Sequence, residues 1–276
     1  MSKLKTLLII AAIIGGALAI KAYTLYQAIS PNAIVSWQQS DEQSNAIIDH
    51  QLWGDILNNY LRENTNSGVR EFDYTAVSQD DKAKLTAYLT QLQAIDPRDY
   101  NPREQIAYWA NLYNALTIDL ILKNYPLSSI KEIGDGFTGP WNEELAVVAN
   151  TPLTLNKIEH GILRGIYQDE RIHYVINCAS IGCPDLPANP LTGLDIENQL
   201  EQGAKRFINQ RKGVYFDSDT LVLSSIYSWF SIDFGDNERD LLLHLSHYAE
   251  PELQQKLRNF NGNIDFAYNW KLNQPN

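Results

Sequence analysis

The chain has 276 residues, with 22 Lys and Arg against 33 Asp and Glu, a formal charge of −11. Residues 1–21 hold Lys3, Lys5 and Lys21 and no acid, which leaves 19 basic and 33 acidic residues, a formal −14, for the remainder. Such a surface repels phosphate backbones, which excludes nucleic acid as a partner, and it excludes adhesion to anionic headgroups beyond the N-terminal segment. Two cysteines, Cys178 and Cys183, are too few for a disulfide scaffold, while 6 Trp, 15 Tyr and 8 Phe supply apolar mass for a core.

In chain order, a short basic start (Met1 to Lys5) precedes an apolar run of 14 residues, Leu7 to Ile20. Ala17-Leu18-Ala19 resembles a cleavage site of small residues, while Ala22, Tyr23 and Leu25 extend the run past Lys21 toward the roughly 20 apolar residues of a spanning helix. Residues 1–25 therefore read as a signal peptide or as a retained N-terminal membrane anchor, a transmembrane helix. Both place the protein in a periplasmic or other extracytoplasmic compartment, tethered to the inner membrane where the segment is kept, with this segment as its one membrane contact. Residues 26–47, broken by Ser30-Pro31-Asn32 and polar from Gln38 to Asn45, read as a stem, and residues 48–276 as a single globular domain.

Within the domain, Trp53, Ile56, Leu57 and Tyr60 have helical spacing over 52–60, and Phe72 to Tyr74 reads as a short extended piece. Leu85, Leu89 and Leu92 share one face of a helix over 80–94. Asn101-Pro102 starts a helix that stops before Pro126, because proline suits the first turn and the residue before a proline leaves helical space. Val147-Val148 and Leu153 to Leu155 read as a hairpin, Asn156 as an N-cap with Glu159 completing a capping box, and 157–167 as the helix that follows. Ile172 to Cys178 reads as a strand and 179–193 as a loop. A helix over 195–209, a second hairpin (214–216 with 221–223) and helices over 226–230 and 240–248 complete the pattern. The fold class is α+β, helices packed around a small antiparallel sheet.

Residues suited to chemistry crowd into three segments. Asn111 and Asn114 are three apart on one face of an otherwise apolar helix, where an amide competes with the backbone and needs a specific partner. Either they brace a neighbouring loop or they serve a site. Glu159 and His160 flank the apolar stripe Ile158, Ile162 and Leu163; the bland alternatives are a cap for Glu159 and a satisfied half-buried imidazole for His160. Arg171 to Pro184 then runs through His173, Cys178, Ser180 and Cys183, with a thiol and a hydroxyl at a turn of small residues, where a loop exposes groups that the preceding element fixes.

Three pieces in this order, Trp109 to Ala115, Ile158 to Arg164 and Arg171 to Pro184, resemble the bacterial branch of the domain of unknown function 547 family. Phe230 to Gly235 and Tyr268 to Asn273 resemble it too, so the similarity spans about residues 48–274. The resemblance implies an exported or lipid-proximal bacterial protein whose activity the family name leaves undefined, and a distant likeness to papain-like or transglutaminase-like folds.

Four readings of the site stay open. Cys178 is a nucleophile for acyl transfer or amide hydrolysis, with His160 as its base, Asn111 or Asn114 orienting the imidazole, and Ser180 helping to hold an oxyanion. His173 is a poor base in that reading, since five positions along one strand put it on the opposite face, some 16 Å from Cys178. Alternatively Cys178 and Cys183 form a disulfide, as two cysteines five apart in an exported protein invite. A metal site of His160 or His173 with the cysteines lacks the spacing of common zinc motifs. Last, Glu159, His160, Ser180 and the Asn pair, with His173 and Cys183 beside them, form a non-catalytic pocket for a peptide or small molecule. No cofactor is implied.

Overall fold

The computed structural model describes residues 30–134 and 139–275; the expected signal or anchor over 1–25 lies outside the described residues. Among the described residues no helix is long and apolar enough to cross a membrane. The first helices are α1 (Gln51–Tyr60), α2 (Gln79–Gln93) and α3 (Pro102–Asn124). Each of the last two starts where a side chain satisfies a free backbone donor: Ser78 accepts from the Asp81 amide and Asn101 from that of Glu104, both at 3.1 Å. The longest of them, α3, is buried on every face from Ala107 to Leu122 except at Asp119. A helix covered all round is a central strut, and the rest of the domain is laid on it.

Residues 34–46, expected to belong to a stem, lie on the domain. The amide of Ile34 donates to the Gly161 carbonyl at 2.8 Å, and Trp37 is buried edge-on against Trp109, ring centres 5.1 Å apart. A Cβ on Gly161 would sit 2.6 Å from Ile34 Cδ1, and one on Gly165 would sit 2.9 Å from Ala33 Cα, so the small residues of this helix face exist to admit that segment. The folded unit therefore begins ahead of Ile47.

The hairpin expected near 147–155 forms as β3 (Ala146–Val148) with β4 (Thr151–Leu153), while β1 (Leu61–Glu63) with β2 (Arg70–Phe72) is a hairpin of which only an extended piece at Phe72 was expected. Lys157–Tyr167 is helical as expected but wound as a π-helix. Its start differs from the capping box read from the sequence. Asn156 is itself helical and donates to Asn142 Oδ1 at 2.9 Å, while Thr154 Oγ1 accepts from the Lys157 amide at 3.1 Å. The cap is thus Thr154, and Glu159 is released for another partner.

The expected strand over Ile172 to Cys178 is absent. Glu170–Tyr174 is a 3₁₀ turn capped by Asp169, and irregular backbone follows. The β-branched run suggested a strand, yet among the described residues no strand pairs with it; the Val175 carbonyl and the Asn177 amide are met instead by the side-chain amide of Asn114 on α3. The opposite-face argument against His173 falls with the strand.

The C-terminal part has its own apolar cluster, including Phe207, Leu221, Leu223, Tyr227 and Leu245. Helix α4 (Ile196–Ile208) leads to β5 (Val214–Asp217) and β6 (Thr220–Ser224), antiparallel with Val214 opposite Leu223. Three helices follow: α5 (Ile226–Trp229), α6 (Glu238–Tyr248) and α7 (Pro251–Arg258). They supply the long connection that lets β7 (Ile264–Ala267) return parallel to β6, Leu221 opposite Ile264. The architecture is α+β as expected; α7 and the parallel edge strand β7 are additions to it.

Candidate functional site

The π-helix, the 170–184 segment, the Phe230–Gly235 turn and the C-terminal Tyr268–Asn273 stretch meet around the two cysteines. Cys178 and Cys183 are joined in a disulfide. Cys178 is half-buried and Cys183 buried. The Tyr268 hydroxyl lies 3.0 Å from the Cys178 sulfur and 3.1 Å from that of Cys183, and Ser180 Oγ lies 3.8 Å from the former. Burial pushes the Tyr268 phenol far above its ordinary range, so it stays protonated and is a donor at neutral pH.

Asn111 and Asn114 do not reach this cluster as orienting groups. The Asn111 amide donates to the Leu191 carbonyl at 2.8 Å and accepts from the Leu191 amide at 3.0 Å. Asn114 does the same across two residues, donating to the Val175 carbonyl and accepting from the Asn177 amide, both at 2.8 Å. Both are loop braces, the plainer of their two expected roles. Asn177 extends the brace: its Oδ1 accepts from the Ala179 amide at 2.8 Å and its Nδ2 donates to the Pro184 carbonyl at 2.6 Å. Ala179 takes a left-handed φ of 58°, a conformation costly for alanine that this framework holds in place.

His160 also has a partner other than the cysteine. Its Nδ1 lies 2.8 Å from Arg164 Nη1. A guanidinium can only donate, so Nδ1 accepts and the proton of the neutral ring sits on Nε2. Burial first, then the Arg164 and His173 charges against those of Glu159 and Asp233, brings the His160 pKa down to about 4. Among the described residues the hydrogen-bonding partners of Cys178 include no histidine. The Cys178–His160–Asn arrangement expected of a thiol hydrolase is therefore not assembled. Nor do the described residues bring together three or more His, Cys, Asp or Glu side chains able to hold a metal ion.

What the structure does assemble is a chain of buried charge. Glu159 Oε2 accepts from the Tyr113 hydroxyl at 2.9 Å. Asp233 Oδ2 accepts from Arg164 Nε at 2.5 Å and from His173 Nε2 at 2.6 Å. Burial opposes the ionised carboxyl of Asp233, but the hydrogen bonds of His173 and Arg164 outweigh it and hold the pKa down at about 2. Phe230 lies under this group, with the His173 ring stacked 4.7 Å away and the Arg164 guanidinium 4.5 Å from its centre. Sequence reasoning assigned no role to Tyr113, Arg164, Asp233 or Tyr268. All four lie in the stretches that carried the family resemblance, and that was the available signal.

Beside the disulfide stands an aromatic wall. Tyr268 and Trp270 have ring centres 4.6 Å apart, and Trp229 lies 4.8 Å from the first and 5.5 Å from the second. Trp229 is 37 % exposed, and Lys131 Nζ sits 4.8 Å over Trp270.

The site thus defines an α+β domain whose disulfide-closed loop is braced by an asparagine-bearing central helix. The model of a family described as protein of unknown function, DUF547, matches residues 97–208, and the chain carries a DUF547 domain. The matched stretch takes in α3, the π-helix, the cysteine loop and α4; the Asp233 turn and the aromatic wall lie beyond it. No curated protein and no solved structure matches the chain.

Proposed function

We propose that this domain binds a peptide or small molecule without transforming it, on the aromatic wall beside the Cys178–Cys183 disulfide. The observation that carries the reading is the disulfide itself: Cys178 is spent as a nucleophile, and the side chains that would activate it are engaged elsewhere. Trp229, Tyr268 and Trp270 offer rigid rings with polar edges, the side chains that dominate recognition surfaces. Export or anchoring through residues 1–25 belongs to the same proposal, since it places the cysteines where they oxidise. Titration of the 15N-labelled oxidised protein with acetylated tripeptides bearing a central Phe, Tyr or Trp tests it. Saturable shifts at the Trp229 and Trp270 indoles, with the peptide recovered intact, are expected. Cleavage or acyl transfer that vanishes in Cys178→Ser, or no shift at these rings with any of the peptides, overturns it.

One observation favours a second reading, thiol-dependent acyl transfer or amide hydrolysis after reduction: Cys178 is half-buried and its sulfur already faces the Tyr268 hydroxyl. Iodoacetamide trapping of the reduced protein across pH tests this. Reaction no faster than that of a free thiol, and only at alkaline pH, excludes it.

A further inference from the structure

Asp185 and Pro187 to Asn189, in the loop that follows the disulfide, line a cleft of about 870 Å³, a volume suited to a small organic ligand. Arg70 and Arg206 line it and Lys212 joins them at Asp185, so three cations gather there in a strongly acidic protein. Asp185, buried, accepts from Arg206 Nε at 2.6 Å, Lys212 Nζ at 2.5 Å and Gln210 Nε2 at 2.8 Å. Arg70 stands beside them on β2, donating through Nη1 to the Leu186 carbonyl at 3.1 Å. Its carboxylate neighbour is Glu63, 3.5 Å from Nε, 53 % exposed and shared with Arg206 Nη2 at 3.1 Å. Three cations thus meet two carboxylates, and one of those is mostly in water, where it neutralises little. Among the described residues no partner contacts Arg70 Nη2. The Arg70 and Arg206 side chains remain 21 % and 25 % exposed where they line the cleft.

We propose that this cleft is a binding site for a small organic anion, whose carboxylate or phosphate group docks on Arg70 and Arg206. A planar guanidinium fork suits either oxyanion, and a group that displaces Glu63 would restore charge balance at the buried end. Direction of binding is set by the donors already engaged: Asp185 accepts from Arg206 Nε, Lys212 and Gln210, and Arg206 Nη2 also donates to the Gly68 carbonyl at 2.6 Å, so among the described residues Arg206 Nη1 and Arg70 Nη2 are the donors left for the ligand. The walls that would meet the rest of the ligand are polar, with Asn189, Asn198 and Gln202 among them.

The test is thermal unfolding and isothermal titration of the oxidised protein with inorganic phosphate and, separately, succinate, against sodium chloride at matched ionic strength. One or both anions raise the melting temperature and bind with 1:1 stoichiometry. Arg70→Met weakens that binding by about tenfold or more, in keeping with loss of one charge-assisted pair. Glu63→Gln strengthens it by about threefold, because the competing carboxylate is gone. Arg70→Lys falls between, retaining charge without the fork. Absence of any anion-specific stabilisation overturns the proposal, as does binding that Arg70→Met leaves unchanged. Should Arg70→Met fail to fold, Glu63→Gln decides alone: tighter binding supports the site, and unchanged or weaker binding overturns it. The peptide test of the aromatic wall is independent of all these outcomes.

Discussion

Acidification from pH 7 to pH 5 should destabilise this domain through two buried histidines. His160 and His50 are each 5 % exposed, and burial brings both down to a pKa of about 4 from 6.5. His50 faces Asp49, which opposes the shift, and its Nδ1 lies 2.6 Å from the Tyr88 hydroxyl. His160 faces Glu159, Arg164, His173 and Asp233. For a base whose native pKa is depressed, the unfolded chain binds the proton first. Stability is complete above pH 6.5, falls as pH drops from 6.5 toward 4, and levels off below. At pH 5 the unfolded chain holds nearly one more proton per histidine, which relative to pH 7 costs about 2 kcal/mol each. Asp233, held at about 2, titrates well below this window and does not contribute to it. Urea unfolding followed by tryptophan fluorescence at pH 7, 6 and 5 measures the loss, with the slope m expected to stay constant. The loss should shrink by about half in His160→Asn and again in His50→Asn, given that distant sites add. Equal stability at pH 7 and pH 5, or an acid loss that both substitutions leave intact, would refute the reasoning.

Other consequences follow from the braces around the cysteine loop. Asn114→Ala strands the Val175 carbonyl and the Asn177 amide in the interior, and chemical denaturation should register a loss of about 2–4 kcal/mol. Gly193→Ala drives a Cβ to 2.3 Å from Glu104 Oε2, where the Gly193 amide now donates at 3.0 Å, so a loss of roughly 1–3 kcal/mol and a lower melting temperature are expected. Reducing Cys178–Cys183 opens a short loop, for which chain entropy gives about 2 kcal/mol; the reduced protein should melt lower by a few degrees and gain two dalton in mass.

Much of the fold was legible because its signals are local. The Asn101-Pro102 start and the stop before Pro126 delimit α3, and turn residues mark the hairpins. The 172–178 segment was misjudged because its apolar, β-branched residues describe burial, and burial alone does not choose between strand and irregular backbone. What decides is the partner, and here that partner is Asn114, 61 residues before Val175 and 63 before Asn177. The same non-local dependence hid the role of Arg164. Its two ends join His160, four residues back on its own helix, to Asp233 on a distant turn. Residue types could single out Cys178, His160 and the asparagines as a set suited to thiol chemistry; only the contacts show each of them engaged with a different neighbour.

One side chain connects the two sites that emerge from those contacts. Lys212 Nζ donates to the Cys183 carbonyl at 2.6 Å and to Asp185 Oδ1 at 2.5 Å, so the disulfide loop and the cation cluster of the cleft share a buried ammonium. Reduction that relaxes the loop must then disturb the scaffold on which Arg206 is held. If the cleft binds an anion, linkage requires reciprocity: whatever factor reduction takes from anion affinity, the anion must add to the resistance of the disulfide to reduction. Phosphate or succinate affinity measured on the oxidised and reduced proteins gives the first factor, and dithiothreitol titration with and without the anion gives the second. Lys212→Met should uncouple them. Equal affinities in both redox states would show that Lys212 does not couple the disulfide to the cleft, and that the two sites work independently.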